Sequence, residues 1–305
     1  MKVIKEILFS IIGISVITLL LLWGLGFFKG DKTPSQIADK LTPTTEKKIK
    51  NLKILALGDS LTQGVGDTKN QSGYQKRLTK KIAKTKQVQK ATIYDEGVSG
   101  ERSDQILKRF KTSSKIQKEA TKSDVLIVTA GGNDLFQNLQ KDVTDSPSQI
   151  AVNVNRISIS YQENLQKIFS YARKLNPKIK IVMVGVYNPF YVYFPNVTAI
   201  TQAIETFNTT AEATGDYFKH STFVDVNALS VGQYKTASQQ RRLKKQSTED
   251  DIAVVEKSQL ESSKFDTKEK NNYLSDADHF HPNNKGYDMM ADKIFNAMNK
   301  AGIFK

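Results

Sequence analysis

The chain has 305 residues, is 39% apolar, contains no cysteine and carries a formal net charge of +14. That length and apolar fraction suit one large globular domain or two small ones and exclude a disordered chain, while the missing cysteine excludes disulfides, thiolate metal sites, a cysteine nucleophile and a lipid-anchored N-terminal cysteine. The positive charge favours an anionic envelope polymer or membrane surface over nucleic acid, because no nucleic-acid-binding motif occurs and the lysines are scattered.

Ile7 to Phe28 is apolar apart from Ser, Thr and Gly, and it follows Lys2 and Lys5. A helix of that length spans about 30 Å, enough for a bilayer core. Trp23, Phe27 and Phe28 would sit near the outer interface. Residues 1–29 therefore read as an uncleaved single-pass anchor that puts the rest of the chain outside the cytoplasm. A cleaved signal peptide, giving a secreted protein, is the alternative, although no small-x-small cleavage pattern follows the run. Residues 30–51, with Pro34, Pro43 and a cluster of Thr and Lys, read as a linker.

From Leu52 onward, short apolar runs alternate with helical periodicity. Strands are predicted at Lys53–Leu57, Thr92–Tyr94, Val125–Ala130, Ile179–Val186 and Thr222–Val226. Helical faces are formed by Tyr74, Leu78 and Ile82; by Ile106, Leu107 and Phe110; by Tyr161 through Leu175, stopped by Asn176-Pro177; by Ile200, Ile204, Phe207 and Ala211; and by Tyr287 through Met298. This alternation predicts an α/β domain over residues 52–305, with right-handed βαβ units and a parallel sheet covered on both faces. Residues 230–272 are polar and too long for an ordinary connection. They are expected to form an insertion, either a partly helical lid near the site or a solvated excursion.

Each proposed strand end carries an unusual block. Gly58-Asp59-Ser60 ends the first strand, Gly97-Val98-Ser99-Gly100 the second and Gly131-Gly132-Asn133-Asp134 the third. Asp278-His279-Phe280-His281-Pro282 precedes the last helix. In a doubly wound fold such blocks converge on one crevice. Together they meet the needs of ester hydrolysis. Ser60 is a nucleophile that needs a base, and His281 can serve, oriented by Asp278 three residues earlier. The backbone N–H groups of Ser60 and Gly100 and the Asn133 amide can hold an oxyanion.

These blocks resemble the four marker blocks of the SGNH, or GDSL-type, hydrolases. The narrower resemblance is to the membrane-anchored or secreted lipase/acylhydrolase-like proteins of Gram-positive bacteria. The resemblance implies a three-layer α/β/α, flavodoxin-like fold with a five-stranded parallel sheet and serine-dependent hydrolysis of acyl esters without a cofactor. By position in the blocks, Ser60, Asp278 and His281 match the catalytic residues, and Ser60, Gly100 and Asn133 match the oxyanion hole. One departure is Asp95, where the family often has Asn. The substrate, whether a lipid, an acetylated glycan or a small ester, stays open.

Several rivals remain at this point. Asp276 and His279 repeat the Asp-x-x-His spacing, and Asp276, Asp278, His279 and His281 together could bind a metal. His220 reads as a helix-end residue, and Asp59 and Asp134 as ligands of loop backbone. The aromatics of Tyr187 to Phe194 either wall a pocket or pack on their own loop. At the level of function, a non-catalytic envelope polymer-binding protein and an acyltransferase or deacetylase acting on cell-surface glycans are the alternatives.

Overall fold

The computed structural model describes residues 48–140, 146–247 and 270–305. The predicted anchor and most of the linker lie outside the described residues, as do residues 248–269 of the predicted insertion. Among the described residues no helix is long and apolar enough to cross a membrane.

Five strands form one sheet: β1 (Leu52–Gly58), β2 (Ala91–Gly97), β3 (Val125–Thr129), β4 (Lys180–Val184) and β5 (Ser221–Val224). All pairings are parallel and the spatial order is β2-β1-β3-β4-β5, the flavodoxin-like order. All five match predicted strands to within a few residues. The central strands are apolar because both faces are covered. Side chains alternate across a strand, so Leu55 and Leu57 enter one core and Ile54 and Ala56 the other.

On the first face lie α3 (Ser103–Thr112), α4 (Ser114–Ala120), α5 (Gly132–Leu139), α6 (Pro147–Leu175) and α7 (Thr198–Tyr217). On the second lie α2 (Gln75–Ile82) and α10 (Asn284–Lys300). The short helices α1 (Ser60–Gln63) and α8 (Ala228–Val231) follow β1 and β5. A further helix, α9 (Ala237–Gln246), begins the predicted insertion.

One difference from the sequence reading has a physical cause, and the insertion adds a second observation. Helix α6 starts well before Tyr161, at a Ser146 cap whose side chain accepts from the Gln149 amide. Ile150, Val154 and Ile157 are buried along its early turns, but Val152 and Ile159 are solvent-exposed and blur the periodicity. Of the predicted insertion, the described residues 230–247 pack on the domain. Thr236 and Gln239 form a capping box at the start of α9, and Leu243 is buried against Tyr191 and Val192. The segment departs and returns at one place: Gln233 Nε2 donates to the Lys270 carbonyl and Gln233 Oε1 accepts from the Asn272 amide.

The C-terminal end of β2 packs directly on α1. A Cβ on Gly97 would lie 2.2 Å from the Gln63 backbone nitrogen and 2.6 Å from the Thr62 carbonyl carbon. Neither atom can swing aside as a side chain would. Gly97→Ala is therefore expected to displace α1 and to destabilise the fold by about 1–3 kcal/mol, the ordinary range for overpacking. Urea unfolding would measure this, and an unchanged midpoint would contradict the packing.

Candidate active site

Ser60 stands at the C-terminal end of β1, at the first position of α1. The turn is built by Asp59, whose Oδ1 accepts from the Leu61 amide at 3.0 Å, an ordinary N-cap bond. The Thr129 hydroxyl donates to the same carboxylate at 2.9 Å and accepts from the Asp59 amide at 3.2 Å. It also meets the Thr62 hydroxyl, which in turn meets Tyr74 Oη. Burial raises the Asp59 carboxyl above its ordinary value, and these hydrogen bonds only partly offset the effect. Asp59 is thus a buried brace for the turn that carries Ser60, hydrogen-bonded to loop backbone as the sequence suggested.

His281 approaches Ser60 from the loop before α10. Its Nε2 is 2.9 Å from Ser60 Oγ, and its Nδ1 is 2.6 Å from Asp278 Oδ2. The other carboxylate oxygen, Asp278 Oδ1, accepts from the Phe280 and His281 amides, each at 3.0 Å. Burial alone would raise the Asp278 carboxyl. The bonds from the His281 ring and the two amides outweigh it and hold the carboxyl below its ordinary value. A carboxyl held low contributes stability at neutral pH, which is lost as the pH falls through its folded-state pKa.

The loop's backbone separates the two Asp-x-x-His candidates. His279 takes a left-handed conformation, with φ 51°, and its Nδ1 lies 3.0 Å from Tyr193 Oη rather than near Ser60. Asp276 meets Lys270 at the surface. Asp278 and His281 thus pair with each other while Asp276 and His279 turn to other partners, and among the described residues no group of three or more acidic, histidine or cysteine side chains is arranged to hold a metal ion. His220 lies in the turn between α7 and β5, also with positive φ, and its carbonyl accepts from the Ile181 amide.

Gly100 and Asn133 sit on the loop after β2 and at the start of α5. Three hydrogen bonds set that loop: Asn133 Nδ2 donates to the Glu101 carbonyl at 2.9 Å, Gln137 Nε2 to the Gly100 carbonyl at 2.8 Å, and the Ser99 amide to Gln63 Oε1 at 2.6 Å. Gly100 has φ 80°, and a Cβ there would meet nothing within 4 Å, so the backbone conformation is what calls for glycine. Asp134 accepts from the Ser103 amide and hydroxyl, which ties α5 to α3. Asp95, at the departure from the family pattern, accepts from the Gly97 amide at 3.2 Å, a turn bond that Asn would also make.

Ser60 and Asn133 line one cavity of about 30 Å³ together with Thr129, Gly132, Phe136, Val186, Tyr187 and Phe280. Gly100 is exposed at the edge of this arrangement and does not line the cavity.

The model of the GDSL-like lipase/acylhydrolase family matches residues 56–289. The chain belongs to this family. The chain is also similar to the uncharacterized protein YpmR of Bacillus subtilis, with 28% identity over 277 residues, 90% of this chain and 91% of that one. The spore germination lipase LipC of Bacillus licheniformis is 25% identical over 244 residues, 80% and 94% of the two chains. Among solved structures, a lipase from a goat rumen metagenome has a TM-score of 0.58 at 22% identity, covering 82% of this chain and 97% of that one. A mutant of a Geobacillus acetyl-xylooligosaccharide esterase has a TM-score of 0.51 at 16% identity, covering 83% and 96%. These two likenesses speak to the fold.

The sequence reading missed Gln63, Thr129, Gln137, Phe136 and Phe280, which brace the GDSL site or wall its cavity. A signal existed for Phe280, which lies between Asp278 and His281. Thr129 reads only as part of the third strand and Phe136 falls in no predicted element, because their roles depend on contacts distant in sequence.

Proposed function

We propose that this GDSL-family protein is a serine-dependent hydrolase of carboxylic acyl esters that works through an acyl-enzyme. The observation that carries the reading is the continuous chain Asp278–His281–Ser60, with bonds of 2.6 and 2.9 Å. His281 Nε2 takes the Ser60 proton as Oγ bonds to the acyl carbonyl carbon. Asp278 holds the ring and stabilises the imidazolium. His281 then returns the proton to the leaving oxygen as the ester C–O bond breaks. A water, deprotonated by the same nitrogen, attacks the acyl-enzyme and releases the acid and Ser60. The reaction needs no cofactor.

The oxyanion is held by the amides of Ser60 and Gly100 and by the second N–H of the Asn133 amide. Among the described residues neither of the two backbone amides has a partner within the chain, which leaves them free to donate. Asn133→Ala is expected to lower kcat by about 10²–10³. It also frees the Glu101 carbonyl, so a smaller loss in Asn133→Asp, whose Oδ atoms cannot donate, would contradict the oxyanion role. A fluorophosphonate probe should label Ser60 covalently. A folded protein that is not labelled there would sink the serine mechanism.

The reading also puts the domain outside the cytoplasm, held by residues 1–29 or released after their cleavage. The apolar Ile7 to Phe28 run and its preceding lysines support this. Protease added to intact cells should degrade an anchored domain, or the domain should be found in the medium. A protected, cell-retained domain would overturn the placement.

A further inference from the structure

The cavity beside Ser60 is small for an enzyme of lipid esters. Its free volume is about 30 Å³, while one buried water needs roughly 10–15 Å³. His281 and Asp278 are absent from its walls, whereas Asn133 is present. The base must reach the leaving oxygen to return the proton, so the leaving group lies on the His281 side of the tetrahedral carbon. The cavity, on the Asn133 side and apolar in most of its walls, is left for the acyl chain.

The walls are braced. Phe136 lies one helical turn after Asn133 on α5 and shares its face. Its ring meets Phe280 edge-on at 5.3 Å and Phe190 at 5.7 Å, and Phe190 meets Phe280 at 6.0 Å. Tyr187 Oη donates to the Phe280 carbonyl at 2.6 Å. Three rings from three separate segments thus hold one another, and none can swing away without losing two partners. One helical turn before Phe136 on the same helix, a Cβ on Gly132 would meet only Val186 Cγ1, at 3.9 Å. The free space of the cavity therefore reaches that glycine.

We propose that this is a short-acyl pocket, closed by Phe136 and Phe280 and extended by the bare Cα of Gly132, which limits the acyl group to about acetyl to butyryl size. The inference rests on the serine-ester reading above. The substrate class it names is short-chain acyl esters of a leaving group that is itself outside the pocket.

The test is a chain-length series on the full chain with p-nitrophenyl acetate, butyrate and octanoate. Wild-type kcat/KM should fall at least tenfold from acetate to octanoate. Phe136→Ala should raise the octanoate-to-acetate ratio at least tenfold, and Gly132→Ala should lower the butyrate-to-acetate ratio several-fold. A wild-type preference for octanoate, or a folded Phe136→Ala with an unchanged ratio, overturns the inference. Should Phe136→Ala not fold, Gly132→Ala decides: it adds one methyl in open space, and an unaltered chain-length profile overturns the pocket. Octanoate preference with Ser60 still labelled by fluorophosphonate overturns this inference alone. No labelling and no turnover of any ester overturns the serine reading beneath it.

Discussion

Ser60→Ala should abolish ester turnover and leave the fold intact. The loss of kcat/KM on p-nitrophenyl acetate should be on the order of 10⁴ or more, as expected when a triad nucleophile is removed. The stability change should be small, about 1 kcal/mol or less. Ser60 Oγ makes one hydrogen bond, to His281 Nε2, and His281 is partly solvent-accessible, so water can take the vacated place. The brace of the turn belongs to the Asp59 side chain and the Ser60 backbone, neither of which changes. His281→Ala should lose activity by a similar factor, and the double variant should be little worse than either, because nucleophile and base act as one unit. Additive losses, or a folded Ser60→Ala that retains activity, would show that the hydroxyl is not what attacks.

Much of this site was legible because a parallel sheet delivers strand ends to one edge. The runs Lys53–Leu57, Thr92–Tyr94 and Val125–Ala130 become β1, β2 and β3 in neighbouring positions, so three blocks far apart in sequence meet there. Local sequence also favours His281 over His279, because only His281 is followed by Pro282-Asn283 leading into α10. Its physical basis was not legible: Asp278 Oδ1 caps two amides, and His279 turns away through a left-handed backbone. The aromatic wall was legible only in part: the Tyr187 to Phe194 stretch was one candidate wall, and Tyr187 lines the cavity, but its partners were not. Phe136, Phe190 and Phe280 each fit a local pattern of core or loop packing, and only the tertiary fold makes them neighbours. The same holds for Leu243, a lone apolar residue in a polar stretch whose partners Tyr191 and Val192 lie about fifty residues earlier.

Asp278→Asn should cost about 10⁴ in kcat while barely altering the loop, and the reason lies in which oxygen does what. The isosteric amide can keep its carbonyl oxygen toward the Phe280 and His281 amides, where Asp278 Oδ1 now accepts. Its Nδ2 then faces His281 Nδ1 and donates to it. The ring must accept there, so its proton moves to Nε2, the nitrogen 2.9 Å from Ser60 Oγ. A protonated Nε2 cannot take the serine proton, and the base is lost without any displacement of atoms. A further effect follows. The low-lying carboxyl of Asp278 is absent from the variant, so its share of stability at neutral pH disappears, and the gap between wild type and variant should close as the pH falls through the Asp278 pKa. Full activity in Asp278→Asn at neutral pH would mean that the carboxylate does not set the tautomer, and a stability gap that widens in acid would reverse the sign assigned to its pKa.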